Sequence, residues 1–260
     1  SGDTVNVAFN SSTAAFIDAN VGQGKSVSLT GVSLSGGDAG NYTVANISGL
    51  TGDISKRVLS ITNSAVTSRA YDATTGATVV AGTLGNLVGT ETLSVTGAGV
   101  FANANAGTGN VAVTYALANA GTGSTAGLAS NYTLANQTLT GTISRKLLTI
   151  SGSTVATRDY DATTAATVTA GTLSGLVGSE TLGVTGVGTF ASANAGTQNV
   201  SVTYTLANAG SGNAAGLASN YALLNQTLTG TIAQKTLTIT GSTVAGKTYD
   251  GTTTATVTAG

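Results

Sequence analysis

Apolar residues fall at every second position through short stretches of this chain. In "NVSVTYTLAN", Val200, Val202, Tyr204 and Leu206 share one face, and Ser201, Thr203 and Thr205 share the other. A period of two marks a half-buried strand. Val111, Val113, Tyr115 and Leu117 repeat the pattern. Shorter versions occur at Leu59 and Ile61, Leu148 and Ile150, Leu182 and Val184, Tyr221 and Leu223, and Leu237 and Ile239. Gly-rich stretches such as "NAGTGSTAGLASN" separate them. Helical spacing is weak, and Thr, Val and Gly are poor helix residues. One short helix per module fits only the Ala-rich stretch after Leu206. The pattern predicts an all-β fold, or nearly so, with about six to eight strands per module.

The strands recur as a set. Tyr71, Tyr160 and Tyr249 stand 89 residues apart, and so do Phe101 and Phe190, Tyr115 and Tyr204, Tyr132 and Tyr221, and Glu91 and Glu180. The series Arg57, Lys146, Lys235 has the same step. Residues 57–145 and 146–234 read as complete repeats, and 235–260 as the N-terminal part of a further one. Residues 1–56 read as the C-terminal part of an earlier copy: "FIDANVGQGKSVSLTG" answers "FANANAGTGNVAVTYA", with small indels. Solenoid coils repeat every ~20–50 residues and cannot bury a core alone. A repeat of 89 residues is large enough to be a small domain. The organisation expected is a tandem array, an elongated rod that gains roughly 30–45 Å per module.

Composition narrows the chemistry. The chain has 260 residues, no Cys, His, Pro, Met or Trp, and 7% charged residues at net charge −1. Without His or Cys the usual bases, nucleophiles and soft metal ligands are missing, and no phosphate-binding loop pattern occurs. An enzyme is not expected, nor any catalytic residue, cofactor or metal. Scattered acids do not make a calcium cage. No basic stripe exists to follow nucleic acid, and no apolar run reaches membrane-span length. Sequons at Asn10, Asn41, Asn46, Asn131, Asn136, Asn199 and Asn225 are expected by chance in a chain this rich in Asn, Ser and Thr.

The most distinctive motif is a charged Tyr-Asp turn written three times: Arg69, Tyr71 and Asp72; Arg158, Tyr160 and Asp161; Lys247, Tyr249 and Asp250. On a strand the base and the Tyr two residues on share a face. Asp before small residues and Thr sets a turn by accepting backbone N–H groups. The motif reads as a structural corner: Tyr anchors the strand, Asp sets the turn, and the base faces the handover between modules. The alternative is a sugar or cation site. Lys56, Arg57, Arg145, Lys146 and Lys235 lie at the module starts and are expected to fix the junction by pairing with an Asp or a carbonyl. Arg57 stands where an isopeptide-forming Lys would be needed, which argues against that crosslink.

"KTLTITGSTVAGKTYDGTTTATVTAG" (Lys235–Gly260) and "GDAGNYTVANISGLTGDIS" (Gly37–Ser55), with their copies, are similar to the YDG-type repeat of large bacterial surface adhesins and filamentous-haemagglutinin-like exoproteins. The resemblance covers the whole chain. It departs at Ala73 and Ala162, which replace the Gly of YDG. It implies mostly-β, β-grasp-like modules, an extracellular site on the bacterial surface, and a role as stalk holding a binding domain away from the cell in adhesion or biofilm. Neighbouring repeats of the same chain are the expected partners. The alternatives are repeats that bind exopolysaccharide with avidity, or that self-associate with like chains through weakly protected edges or strand exchange.

Overall fold

A computed structural model describes residues 2–9, 14–45 and 47–260. The sequons at Asn10 and Asn46 lie outside the described residues. By its contacts the chain divides into two compact units, Ser1–Arg69 with Thr74–Ile143, and Ala70–Ala73 with Ser144–Gly260. The leading segment and the first complete repeat thus fold into one unit. The second unit gathers the next repeat, the tail and four residues of the first Tyr-Asp corner.

The leading segment forms β1 (Asn6–Ala8), β2 (Ala14–Phe16), β3 (Gly22–Leu29), β4 (Ser33–Ser35) and β5 (Thr51–Ile54). β1 pairs with β4, and β2–β3–β5 make an antiparallel sheet. The first complete repeat follows with β6 (Arg57–Thr62), β7 (Ala65–Val66), β8 (Arg69–Ala70), β9 (Gly76–Val80), β10 (Thr83–Gly85), β11 (Leu93–Phe101), β12 (Gly107–Asn119), β13 (Tyr132–Leu134) and β14 (Gln137–Ser144). Six of these make one sheet in the order β7-β9-β11-β12-β14-β8, and three make another, β10-β6-β13. In the smaller sheet β6 runs antiparallel to β10 and parallel to β13.

The second unit repeats this plan with β15 (Lys146–Ser151), β16 (Thr154–Val155), β17 (Arg158–Asp159), β18 (Ala165–Thr169), β19 (Thr172–Ser174), β20 (Leu182–Phe190), β21 (Gly196–Asn208), β22 (Tyr221–Leu223) and β23 (Gln226–Ala233). Its sheets are β16-β18-β20-β21-β23-β17 and β19-β15-β22. The tail adds the pair β24 (Thr243–Val244) and β25 (Val257–Thr258). Nine strands per repeat exceed the expected number because several are only two or three residues long, too short to leave an alternation in the sequence.

The fold is all-β, as the alternation predicts. The short helix expected after Leu206 does not form. β21 runs on to Asn208, and two 3₁₀ turns follow, Gly212–Ala214 and Ala218–Asn220. Gly210 and Gly212 sit at φ +81° and +56°, backbone that an α-helix cannot use. No α-helix occurs among the described residues.

The core of the second unit lies between its two sheets. Ile150, Leu173 and Leu223 from the smaller sheet meet Phe190, Val200, Val202, Tyr204 and Ile232 from the larger. Val200 and Val202 are fully buried while Ser201, Thr203 and Thr205 are exposed. Glycine makes room for large neighbours within the larger sheet. A Cβ on Gly188 would stand 2.7 Å from Val168, and one on Gly230 would stand 2.8 Å from both Phe190 and Val155. A polar clamp joins the layers: Tyr204 donates to Gln226 (2.8 Å), whose amide donates to the Ile150 carbonyl (3.1 Å). Tyr115, Gln137 and Ile61 make the same clamp in the first unit.

One expected strand is missing. Lys235–Thr240 has the alternation of β6 and β15 yet lies in no sheet, and Leu237 and Ile239 are exposed. Its counterpart β15 is held between β19 and β22. The described tail offers no counterpart of either neighbour, and a lone strand leaves its hydrogen-bonding groups to water.

Candidate functional site

The first two Tyr-Asp corners follow strands β8 and β17, and the third follows β24 in the tail. Asp161 accepts both the backbone N–H (2.9 Å) and the hydroxyl (2.8 Å) of Thr163, and Asp250 treats Thr252 in the same way, both at 2.9 Å. These bonds, with the Arg158 ion pair adding to them, hold the Asp161 carboxyl down at about 2. The residue after each Asp is left-handed: Ala73 at φ +63°, Ala162 at +66° and Gly251 at +69°. The glycine of the motif is therefore a conformational requirement that two copies meet with strain.

The base does not face the handover. It folds back onto its own corner. Arg69 lies 5.6 Å over the Phe101 ring and donates to the carbonyls of Thr74 and Gly76. Arg158 lies 5.5 Å over Phe190 and donates to Thr163. Lys247 donates to Asp250 and to Thr252. The expected roles are thus exchanged, because a guanidinium stacks well on an aromatic face and the turn offers it carbonyls at close range.

The Tyr is the member that travels. Its backbone stays on the last strand of its own repeat: Tyr71 N–H donates to Ser144 and Tyr160 N–H to Ala233, both at 2.9 Å. The Tyr71 ring is 6% exposed and enters a seat in the second unit. Its hydroxyl donates to Glu180 Oε1 (2.6 Å), while Tyr221 donates to Glu180 Oε2 (2.7 Å). The two rings meet edge to face, centroids 5.4 Å apart. The buried Asn220 amide also bonds the Tyr71 hydroxyl. Burial first, then the Glu180 carboxylate, pushes both phenols up to about 12. Tyr160 is 39% exposed and Tyr249 is 93% exposed.

The first unit carries a seat of the same design. Tyr132 donates to Glu91 Oε2 (2.6 Å) and accepts from the Val88 N–H (3.1 Å). Asn131 accepts from the Val21 N–H (2.9 Å) and donates to Asn20 (3.0 Å). Burial and Glu91 raise the Tyr132 phenol above its usual range.

The module-start bases do less than expected. Arg57 bonds the Asn86 carbonyl and side chain, both at 2.7 Å, and Asn86 in turn donates to Val58. Arg57 therefore ties β6 to the loop after β10 within its own repeat. Lys56, Arg145 and Lys235 are exposed and Lys146 is half-buried. The seat residues Glu91, Asn131, Tyr132, Glu180, Asn220 and Tyr221 were not expected as a site. The signal was present: each complete repeat has a single Glu, at a conserved step from its Tyr partner.

The YDG domain matches the chain three times, over residues 1–49, 55–140 and 144–230. No curated protein matches the chain, and no solved structure does. Among the described residues no helix is long and apolar enough to cross a membrane.

Proposed function

The chain belongs to the YDG domain family, in tandem copies, and from that premise we propose that it is a structural spacer: a segment of the stalk of a bacterial surface adhesin, extracellular, that carries a binding domain away from the cell. One observation supports this reading above the others. Tyr71, encoded in one repeat, is buried against Glu180 and Tyr221, encoded in the next. A charge-assisted bond and an edge-to-face pair make the repeat motif a joint rather than a binding face. The polysaccharide reading asks for tyrosines presented along a surface, whereas Tyr71, Tyr132, Tyr204 and Tyr221 are buried.

The test is to place residues 57–234 in one, two or three copies between a membrane anchor and a reporter-binding tip on a bacterial surface. A spacer makes capture of reporter-coated beads rise with copy number, and an unrelated β-domain array of similar length substitutes for it. Capture that does not depend on copy number, or retention of a tipless chain on exopolysaccharide, sinks the reading.

A further inference from the structure

The chain has no Cys, Met, Trp or His, and it has eight tyrosines. The absent four, sulfur first, carry most of the oxidation chemistry of proteins. An electron taken from this chain therefore comes from a phenol. The phenols are not placed alike. Tyr115 and Tyr204 donate to the neutral amides of Gln137 and Gln226, 2.7 and 2.8 Å away. Tyr42 donates to Asp3 and Tyr132 to Glu91, one phenol to each carboxylate. Glu180 receives two: Tyr71 on one oxygen at 2.6 Å and Tyr221 on the other at 2.7 Å. The same two residues make the one aromatic ring pair among the described residues, with centroids 5.4 Å apart. That is the near half of the ~4.5–7 Å range of such contacts.

We infer that Tyr71 and Tyr221 are an oxidative crosslinking site: a one-electron oxidant of the peroxidase class joins their rings as dityrosine. Both phenols, held up at about 12, are protonated at ordinary pH, so each loses a proton with its electron. The proton passes along the hydrogen bond to Glu180, a base already in reach. Glu180 is half-buried and hands it on to water. Each ring then carries unpaired spin on the carbon beside its oxygen. Those two carbons bond, and the hydrogen that each carried shifts to its oxygen and restores the hydroxyl. Two electrons have gone to the oxidant and two protons to water.

Glu180 suits the product as well as the reactants. Dityrosine carries its hydroxyls side by side, flanking the new bond, where one carboxylate can accept both. The seat thus holds the rings in the order that the product keeps, and proximity replaces a chance encounter. The rings stand at 77° and swing toward each other as the bond forms; Asp72 and Ala73, next to Tyr71, are exposed and leave it room to do so. Both rings are buried, but an oxidant draws electrons through a thin layer of protein without touching them. Burial also keeps the radicals from other reductants. The inference goes beyond the spacer reading and stands on the seat alone. In a stalk the bond makes the joint permanent, and a missing crosslink leaves that reading untouched.

The test is photo-oxidation of the 260-residue chain by tris(bipyridine)ruthenium(II) and persulfate, at a dose set by the coupling of free tyrosine in a parallel sample. Tyr249, 93% exposed, couples between chains, so the monomer is isolated on a denaturing gel. Trypsin then yields peptides 70–145 and 159–235. The expected product is these two joined, lighter than their sum by the two hydrogens lost, with the blue emission of dityrosine. Tyr71→Phe and Tyr221→Phe, which keep the rings, reduce it to background, and Tyr160→Phe leaves it at the wild-type level. Glu180→Gln, its fold checked by circular dichroism, lowers the yield at equal dose. No joined peptide in the wild-type monomer, at a dose that couples free tyrosine, overturns the inference. So does a joined peptide that survives either of the first two variants, or a yield untouched by Glu180→Gln.

Discussion

Tyr71→Phe isolates the joint. The substitution keeps the ring, and with it the edge-to-face contact with Tyr221 at 5.4 Å, but deletes the bond to Glu180 at 2.6 Å. A hydrogen bond to a charged group contributes ~1.5–3 kcal/mol, and the half-buried carboxylate keeps Tyr221 as its other partner. The second unit should therefore lose about 1.5–3 kcal/mol. With no Trp in the chain, urea unfolding is followed by tyrosine emission and by circular dichroism. Tyr160→Phe is the control: its ring is 39% exposed, and a surface change of that kind stays within ~0.5 kcal/mol. Alkali gives a second readout. Phenols raised from 10 to about 12 in the folded state contribute stability that is complete below pH 10 and lost as pH rises through 12. The variant keeps only one of the two, so its stability falls less steeply across that window. Equal stability of Tyr71→Phe and wild type, or an equal loss from Tyr160→Phe, would refute the argument.

Other changes probe the remaining parts of the repeat. Ala162→Gly relieves a left-handed φ of +66° and should raise the unfolding free energy of the second unit, read from urea curves, by about 0.5–1 kcal/mol, the relief exceeding the extra chain entropy of glycine. Gly230→Ala places a methyl 2.8 Å from Phe190 and Val155 and should lower melting stability by about 1–3 kcal/mol. The Asp161 carboxyl, held at about 2 by Thr163 and Arg158, favours the fold above its unfolded value near 3.8, and that support disappears as pH falls through 2. Asp161→Asn should flatten this acid limb, as read by urea unfolding repeated at pH values from above 3.8 down to about 2.

The fold was legible because alternation is a direct image of burial. Val200, Val202 and Tyr204 announce their face, and the repeat step announces how often it is built. The corner was legible in part. Asp161 and Thr163 form the turn that their side chains dictate, and the Gly of YDG marks a left-handed residue even where Ala162 stands. The direction of the side chains was not legible. The spacing of Arg69 and Tyr71 says they share a strand face; it does not say that Phe101 draws the base home or that Glu180 draws the phenol onward. Those partners lie 32 and 109 residues away in sequence, and only the folded sheets bring them near. The tail carries the converse lesson. "KTLTIT" has the pattern of a strand, yet pairing is a property of neighbours, and Lys235–Thr240 has none among the described residues.

A phenol is a discriminating plug. An apolar ring would suit any apolar hollow of the right size, and this chain, at 7% charged residues, has few charges to keep its edges from pairing wrongly. A tyrosine buried where no acceptor waits leaves its hydroxyl unpaired, at a cost of ~1–3 kcal/mol. Only a seat with the carboxylate in place removes that cost. Placing one Glu in each complete repeat, at the same step from its own Tyr partner, puts such a seat at one position per repeat. Misdocked corners then lose to correct ones by roughly 5- to 150-fold, since ~1.4 kcal/mol is tenfold in an equilibrium. Glu91 and Glu180 thus put a little of the chain's sparse charge where it decides which hollow accepts a phenol.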